Sequence, residues 1–165
     1  MHQTPVRDIE VQPATDADVP LILQLIKALA EYERLAHEVV ATEAMVRESF
    51  FGAAPHAQAV IARIDGDAVG LMIWFSTYST FLSRPGIYLE DLFVLPAWRG
   101  KGVGKALLRH LARLALDRGC GRIEWSVLDW NETAIRFYRG IGARPMDEWT
   151  VYRMTGDAIK QLAQT

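Results

Sequence analysis

Residues 99 to 105 read Arg99-Gly100-Lys101-Gly102-Val103-Gly104-Lys105, alternating glycines and cations between a predicted strand and a predicted helix. Glycine leaves nothing to block close approach to the backbone and permits conformations closed to other residues. Amides at the start of a helix converge on anions, and three cations add to that preference, so a phosphate is the expected guest. The common nucleotide motifs do not fit. A P-loop needs glycine five residues before Gly104 and a hydroxyl residue after the lysine, where this chain has Arg99 and Ala106. The GxGxxG fingerprint fails as well, because Gly100 and Gly102 are followed in register by Lys105.

Other residues have types suited to proton transfer. Glu90 and Asp91 interrupt an otherwise apolar strand. Strand side chains alternate, so at least one of the two acids should face apolar surroundings, which raises a carboxylate's pKa. The alternative is two acids at a solvated strand end or paired with arginine. Tyr138 shares a helical stripe with Ala134, Phe137 and Ile141, which fits either a core position or a hydroxyl aimed at a site. Cys120, between Gly119 and Gly121 with no histidine near it in sequence, reads as a small buried or half-buried thiol. His2, His37, His56 and His110 match no metal-ligand spacing, and no metal is expected.

These residues need elements to position them. Ile9 to Gln12 reads as a strand closed by Pro13, followed by a helix capped by Thr15 or Asp16 and running to about Arg34, with Ile22, Leu25, Ile26 and Leu29 as its apolar stripe. A second helix is expected from Thr42 to about Phe50. Two apolar strands, about Ala57 to Ile64 and Ala68 to Tyr78, flank the turn signal Asp65-Gly66-Asp67. A loop, Ser79 to Gly86, precedes a strand from Ile87 to Val94. After the glycine run, Leu107, Leu108, Leu111, Leu114 and Ala115 mark a helix ending near Gly119, and Arg122 to Leu128 reads as a strand. Asn131 is a good cap for the Tyr138 helix, which Gly142 stops. Thr150 to Met154 alternates like a strand, and Asp157 to Ala163 makes a final helical turn or two. The order βααβββαβαβ predicts a mixed α/β sheet with helices on its faces.

Size and composition set the outer bounds. The chain has 165 residues, half of them hydrophobic, and a net charge of -2, which suits one globular domain spanning 1–165. Without a basic stripe, nucleic acid is not the expected partner. No apolar run reaches the ~18 residues of a membrane span, and the N-terminus with Arg7, Asp8 and Glu10 does not resemble a signal peptide. With a single cysteine, the expectation is a cytoplasmic protein whose partner is a small molecule.

The pattern Arg-x-x-Gly-x-Gly after a strand ending Asp91-Leu92-Phe93-Val94 resembles the acetyl-CoA signature of GNAT-type N-acetyltransferases. The order of Gln12-Pro13-Ala14-Thr15, Leu29-Ala30-Glu31-Tyr32-Glu33, Tyr88-Leu89-Glu90-Asp91, Trp130-Asn131-Glu132 and Phe137-Tyr138 is similar to the diamine branch of that family, which includes spermidine/spermine and thialysine acetyltransferases. The resemblance implies a mostly antiparallel twisted sheet flanked by helices and a homodimer. It implies that Arg99, Gly100, Lys101, Gly102, Val103, Gly104 and Lys105 hold the CoA pyrophosphate, that the backbone of Leu92, Phe93 and Val94 holds the pantetheine arm, and that Asn131 and Tyr138 look onto CoA. It also implies Glu90 as the base, direct or through water, with Asp91 structural, and Tyr138 as the acid.

That chemistry is consistent with the residues. An alkylamine, with a pKa near ~10, must lose a proton before attacking a thioester, and the departing thiolate must gain one. No serine, cysteine or lysine stands in a nucleophile setting, which favours direct transfer in a ternary complex. Tyr32, Glu33, Glu148 and Trp149 match positions near the amine in the resembling branch, and acids with aromatics suit a cation. The bland reading of each, a helix end or a solvated turn, stays open. Polyamine-specific members carry an acid and a tryptophan where this chain has Thr80 and Leu82, which points to a smaller or lysine-like amine. Two rivals remain: a protein or antibiotic acetyltransferase, and a non-catalytic acyl-CoA sensor, against which the presence of both Glu90 and Tyr138 argues.

Overall fold

A computed structural model describes residues 8–164; His2 and Arg7 lie outside them. The chain divides into two compact units, Met1–Ser126 and Val127–Thr165.

The first unit is a five-stranded sheet in the order β1-β2-β3-β4-β5, with strands Glu10–Pro13, Gln58–Ile64, Asp67–Ser79, Arg84–Val94 and Ile123–Glu124. The first four pair antiparallel, and β5 joins β4 in parallel. Helices α1, Val19–Tyr32, and α2, Glu43–Phe51, precede β2, and α3, Val103–Asp117, follows β4. The expected hairpin forms: Asp65 and Gly66, at φ 54° and 86°, make the two-residue turn whose positive φ values match the twist of the strands it joins.

Local chemistry explains where the helices begin. Thr15 and Asp18 form a capping box, and Asp18 also binds Arg63 of β2 at 2.7 Å, which anchors the α1 N-terminus to the sheet. Thr42 accepts from the Met45 amide at the start of α2. Ile22, Leu25 and Leu29 of α1 and Val46 of α2 pack with Ile61, Leu71, Ile73 and Phe93 on one sheet face. On the other lies α3, whose Val103, Leu107 and Leu111 are almost wholly buried. Gly70 of β3 permits that close approach: a Cβ there would stand 3.1 Å from Val103 Cγ1 and 3.2 Å from Leu107 Cδ1.

The second unit contains α4, Glu132–Gly140, and α5, Asp157–Ala163. Asn131 caps α4, accepting from the Ala134 amide at 3.3 Å. Three sequence expectations change. The loop expected over Ser79 to Gly86 shortens to residues 80–83, because β3 runs to Ser79 and β4 begins at Arg84. The strand expected over Arg122 to Leu128 pairs only at Ile123 and Glu124. Thr150 to Met154 alternates in hydropathy but forms no strand, because alternation supplies a face and not the neighbouring ladder that a strand also requires.

Candidate active site

A β-bulge decides how the two strand acids are presented. Ile73 of β3 pairs with Asp91 and Trp74 with Leu89, leaving Glu90 as the extra residue. Leu89 therefore shares a face with Trp74, while Asp91 shares one with Ile73 and Phe93, beneath α1. Glu90 is exposed and Asp91 is half-buried. Burial, the Glu90 charge and the Glu33 charge together push the Asp91 pKa up to about 6. The apolar environment expected for one of the two acids thus falls to Asp91, for which the resemblance implies a structural role.

Glu33 arrives at this point because α1 ends there. Arg34 follows it at φ 63°, and the Leu35 amide turns back to the Ala30 carbonyl at 2.8 Å, a helix stop whose left-handed position is normally given to glycine. Glu33 caps the helix half-buried, and burial raises its pKa. The C-terminus of α1 and the bulge of β4 thereby bring Glu33 and Glu90 each within electrostatic reach of Asp91.

Just past the end of β4, the Leu95 amide donates to the Val69 carbonyl of β3. By the alternation of an antiparallel ladder, the Phe93 amide also faces β3, whereas Leu92 and Val94 direct their backbone groups to the outer edge. Pairing with β5 involves only Ile87 and Tyr88. Leu92 and Val94, rather than all three residues from 92 to 94, are therefore the ones able to bind an extended ligand along that edge.

The glycine run follows a short turn, Pro96–Trp98. Gly100 and Gly102 have φ of 73° and 88°, values that disfavour any side chain. Gly102 caps α3 with no side chain over the helix end. The first helical bond is Ala106 N–H to the Gly102 carbonyl, so the amides of Val103, Gly104 and Lys105 point outward from the positive end of the helix dipole. A phosphate-bearing group fits this end of the molecule. The cations are less uniformly placed than the sequence suggested. Lys101 Nζ lies 4.7 Å from the centre of the Trp98 ring, Lys105 is exposed on the first turn of α3, and Arg99 turns toward Tyr32, its guanidinium carbon 4.2 Å from the ring centre. Trp98 carried no sequence signal, since aromatic partners of a lysine have no fixed spacing.

Four remaining candidates belong to the second unit. Asn131 holds the start of α4 as its cap. Tyr138 is half-buried on α4 beside Phe137, with ring centres 5.5 Å apart. Glu148 and Trp149 are exposed in a turn in which the Trp149 amide bonds the Met146 carbonyl. Among the described residues no three His, Cys, Asp or Glu side chains are grouped to hold a metal ion, and no helix is long and apolar enough to cross a membrane.

The sheet thus opens along the edge of its fourth strand and is followed by a helix end suited to an anion. The acetyltransferase (GNAT) family model matches residues 25–143. A thialysine N-epsilon-acetyltransferase of Bos taurus is 36% identical over 166 residues, covering 94% of this chain and 97% of its own. The L-ornithine N5-acetyltransferase NATA1 of Arabidopsis thaliana is 32% identical, covering 92% and 86%. Among solved structures, aminoglycoside N-acetyltransferase AAC(6')-Iy in complex with CoA superposes with a TM-score of 0.71 at 23% identity, covering 93% of this chain and 99% of that one. The chain belongs to the GNAT acetyltransferase family and is an acetyl-transfer enzyme.

Proposed function

We propose that this enzyme moves an acetyl group from acetyl-CoA to a primary amine of a small cationic substrate, a diamine or lysine analogue, by direct transfer in a ternary complex. The observation that carries the substrate class is that half-buried Asp91 feels the charges of both Glu90, its neighbour on the bulge, and Glu33, which follows the aromatic Tyr32 at the end of α1. Three acids so placed favour a cation over a neutral or anionic acceptor. The two curated relatives, named for thialysine and ornithine, support a small amine carrying further charge.

On the donor side, the amides of Val103, Gly104 and Lys105 and the curl made by Gly100 and Gly102 suit the pyrophosphate of CoA, with Lys101 and Lys105 adding charge. Leu92 and Val94 hold the pantetheine arm along the outer edge of β4, and their amides polarise the thioester carbonyl. The structure of AAC(6')-Iy with CoA supports this choice of donor.

On the acceptor side, Glu33 and Asp91 draw in the cationic end of the substrate. Glu90, exposed on the bulge, takes the proton from the attacking amine directly or through a water. Resemblance to the diamine branch gives Tyr138 the role of returning a proton to the departing thiolate, Asn131 a role toward CoA, and Glu148 and Trp149 roles toward the amine. The family match crosses from the first unit into the second, which supports one functional domain.

A thiol-release assay with acetyl-CoA tests this reading against ornithine, thialysine, spermidine, an N-terminal peptide and an aminoglycoside. Release should be fastest with ornithine or thialysine. Tyr138→Phe should bind acetyl-CoA normally and lose most turnover. Preference for the peptide or the aminoglycoside would overturn the substrate class, and undiminished turnover in Tyr138→Phe would remove the acid.

A further inference from the structure

Arg99 has a geometry that phosphate binding does not explain. Its Nε donates to the Val94 carbonyl at 3.0 Å, and its guanidinium carbon lies 4.2 Å from the Tyr32 ring centre and 5.7 Å from that of Phe93. Val94 directs this carbonyl to the outer edge of β4, where the donor's arm is placed above. Tyr32 is the last residue of α1, adjacent to Glu33 on the acceptor side. One side chain therefore spans the two halves of the proposed site.

Only arginine can do this at one position. Its planar fork donates in the plane from Nε while presenting a flat face to an aromatic ring, whereas an ammonium offers a point charge. The Arg99 backbone opens the glycine run, so holding its side chain against Tyr32 also holds the start of the donor loop.

We propose that Arg99 is a positioning residue that couples the two substrate sites: the Tyr32 ring fixes the Arg99 side chain, which orders the donor loop and the edge of β4. This rests on the donor and acceptor assignments made under Proposed function. Bound amine and bound CoA must then change each other's affinity by the same factor, and because the Tyr32 ring holds Arg99, removing that ring must weaken binding of the donor.

The test is calorimetric titration of CoA into the wild-type protein, Tyr32→Phe, Tyr32→Leu, Arg99→Lys and the double variant Tyr32→Leu/Arg99→Lys, with thermal melts confirming folding. Tyr32→Phe keeps the ring and should bind CoA as the wild type does. Tyr32→Leu should weaken CoA binding about two- to fivefold, the range of an exposed cation–π contact. In the double variant the two losses should not add, because Arg99→Lys already removes the stacking that Tyr32→Leu removes, along with the bond to Val94. The amine KM should rise in Arg99→Lys while kcat changes less. CoA affinity in Tyr32→Leu that equals or exceeds the wild type's, additive losses, or Tyr32→Phe behaving like Tyr32→Leu would each overturn the coupling. A wild-type protein that binds no CoA would overturn the donor assignment and the coupling with it.

Discussion

Asp91 and Glu90 differ by a single residue of register, and that difference sets their chemistry. Residues 87 to 94 show an apolar strand interrupted by two acids, and alternation alone places one of them inward. Which one was not legible, because an extra residue at a bulge reverses the alternation and leaves no composition mark. The consequence is measurable as pH dependence. With its pKa pushed up to about 6, Asp91 carries charge only above that pH, so kcat/KM for a cationic amine should climb through about pH 6. In Asp91→Asn that limb should be absent, and a limb unchanged by the substitution would remove Asp91 from the acceptor site. Stability has the opposite sign. The folded state holds the Asp91 proton more tightly than the unfolded chain, so its contribution is greatest below the ordinary value of 3.8 and is lost as pH rises through about 6. Asp91→Asn should therefore raise stability at pH 8, by up to about 3 kcal/mol, and change it little near pH 3. Chemical denaturation at the two pH values checks this.

At the scale of elements, α3 is the part most readable in advance and the part on which the donor loop depends. The Leu107, Leu108, Leu111, Leu114 and Ala115 stripe was plain, and all are buried except Leu114, which is half-buried. The spacing did not show that Gly70, on another strand, lets α3 sit close to the sheet. Gly70→Ala puts a methyl group 3.1 Å from both the Phe93 carbonyl and Val103 Cγ1. Helix or sheet must shift, at a cost of about 1–3 kcal/mol in stability. Because Val103 is the first residue of α3, the shift reaches the amides that face the donor, and the KM for acetyl-CoA should rise severalfold while circular dichroism stays unchanged. An unaltered melting temperature and KM would show that the contact is slack. The missing strand at Thr150 to Met154 shows the complementary limit: hydropathy reports which residues would face a core, but pairing depends on a partner distant in sequence.

Over the whole molecule, motif order carried the family and the donor side, since glycines at a helix start act through backbone geometry that local sequence dictates. The acceptor side was less legible because it is assembled from the end of α1 and the bulge of β4, more than fifty residues apart in the chain. The three acids become one feature only when the sheet folds. The central claim, that this convergence selects a small cationic amine for acetylation, is tested most directly by mass spectrometry of the products formed from acetyl-CoA with ornithine or thialysine. The account predicts monoacetylated amine in equal amount to the CoA released, with no acetyl group retained on the protein. Release of CoA without an acetylated amine, or accumulation of an acetylated protein before product, would contradict it.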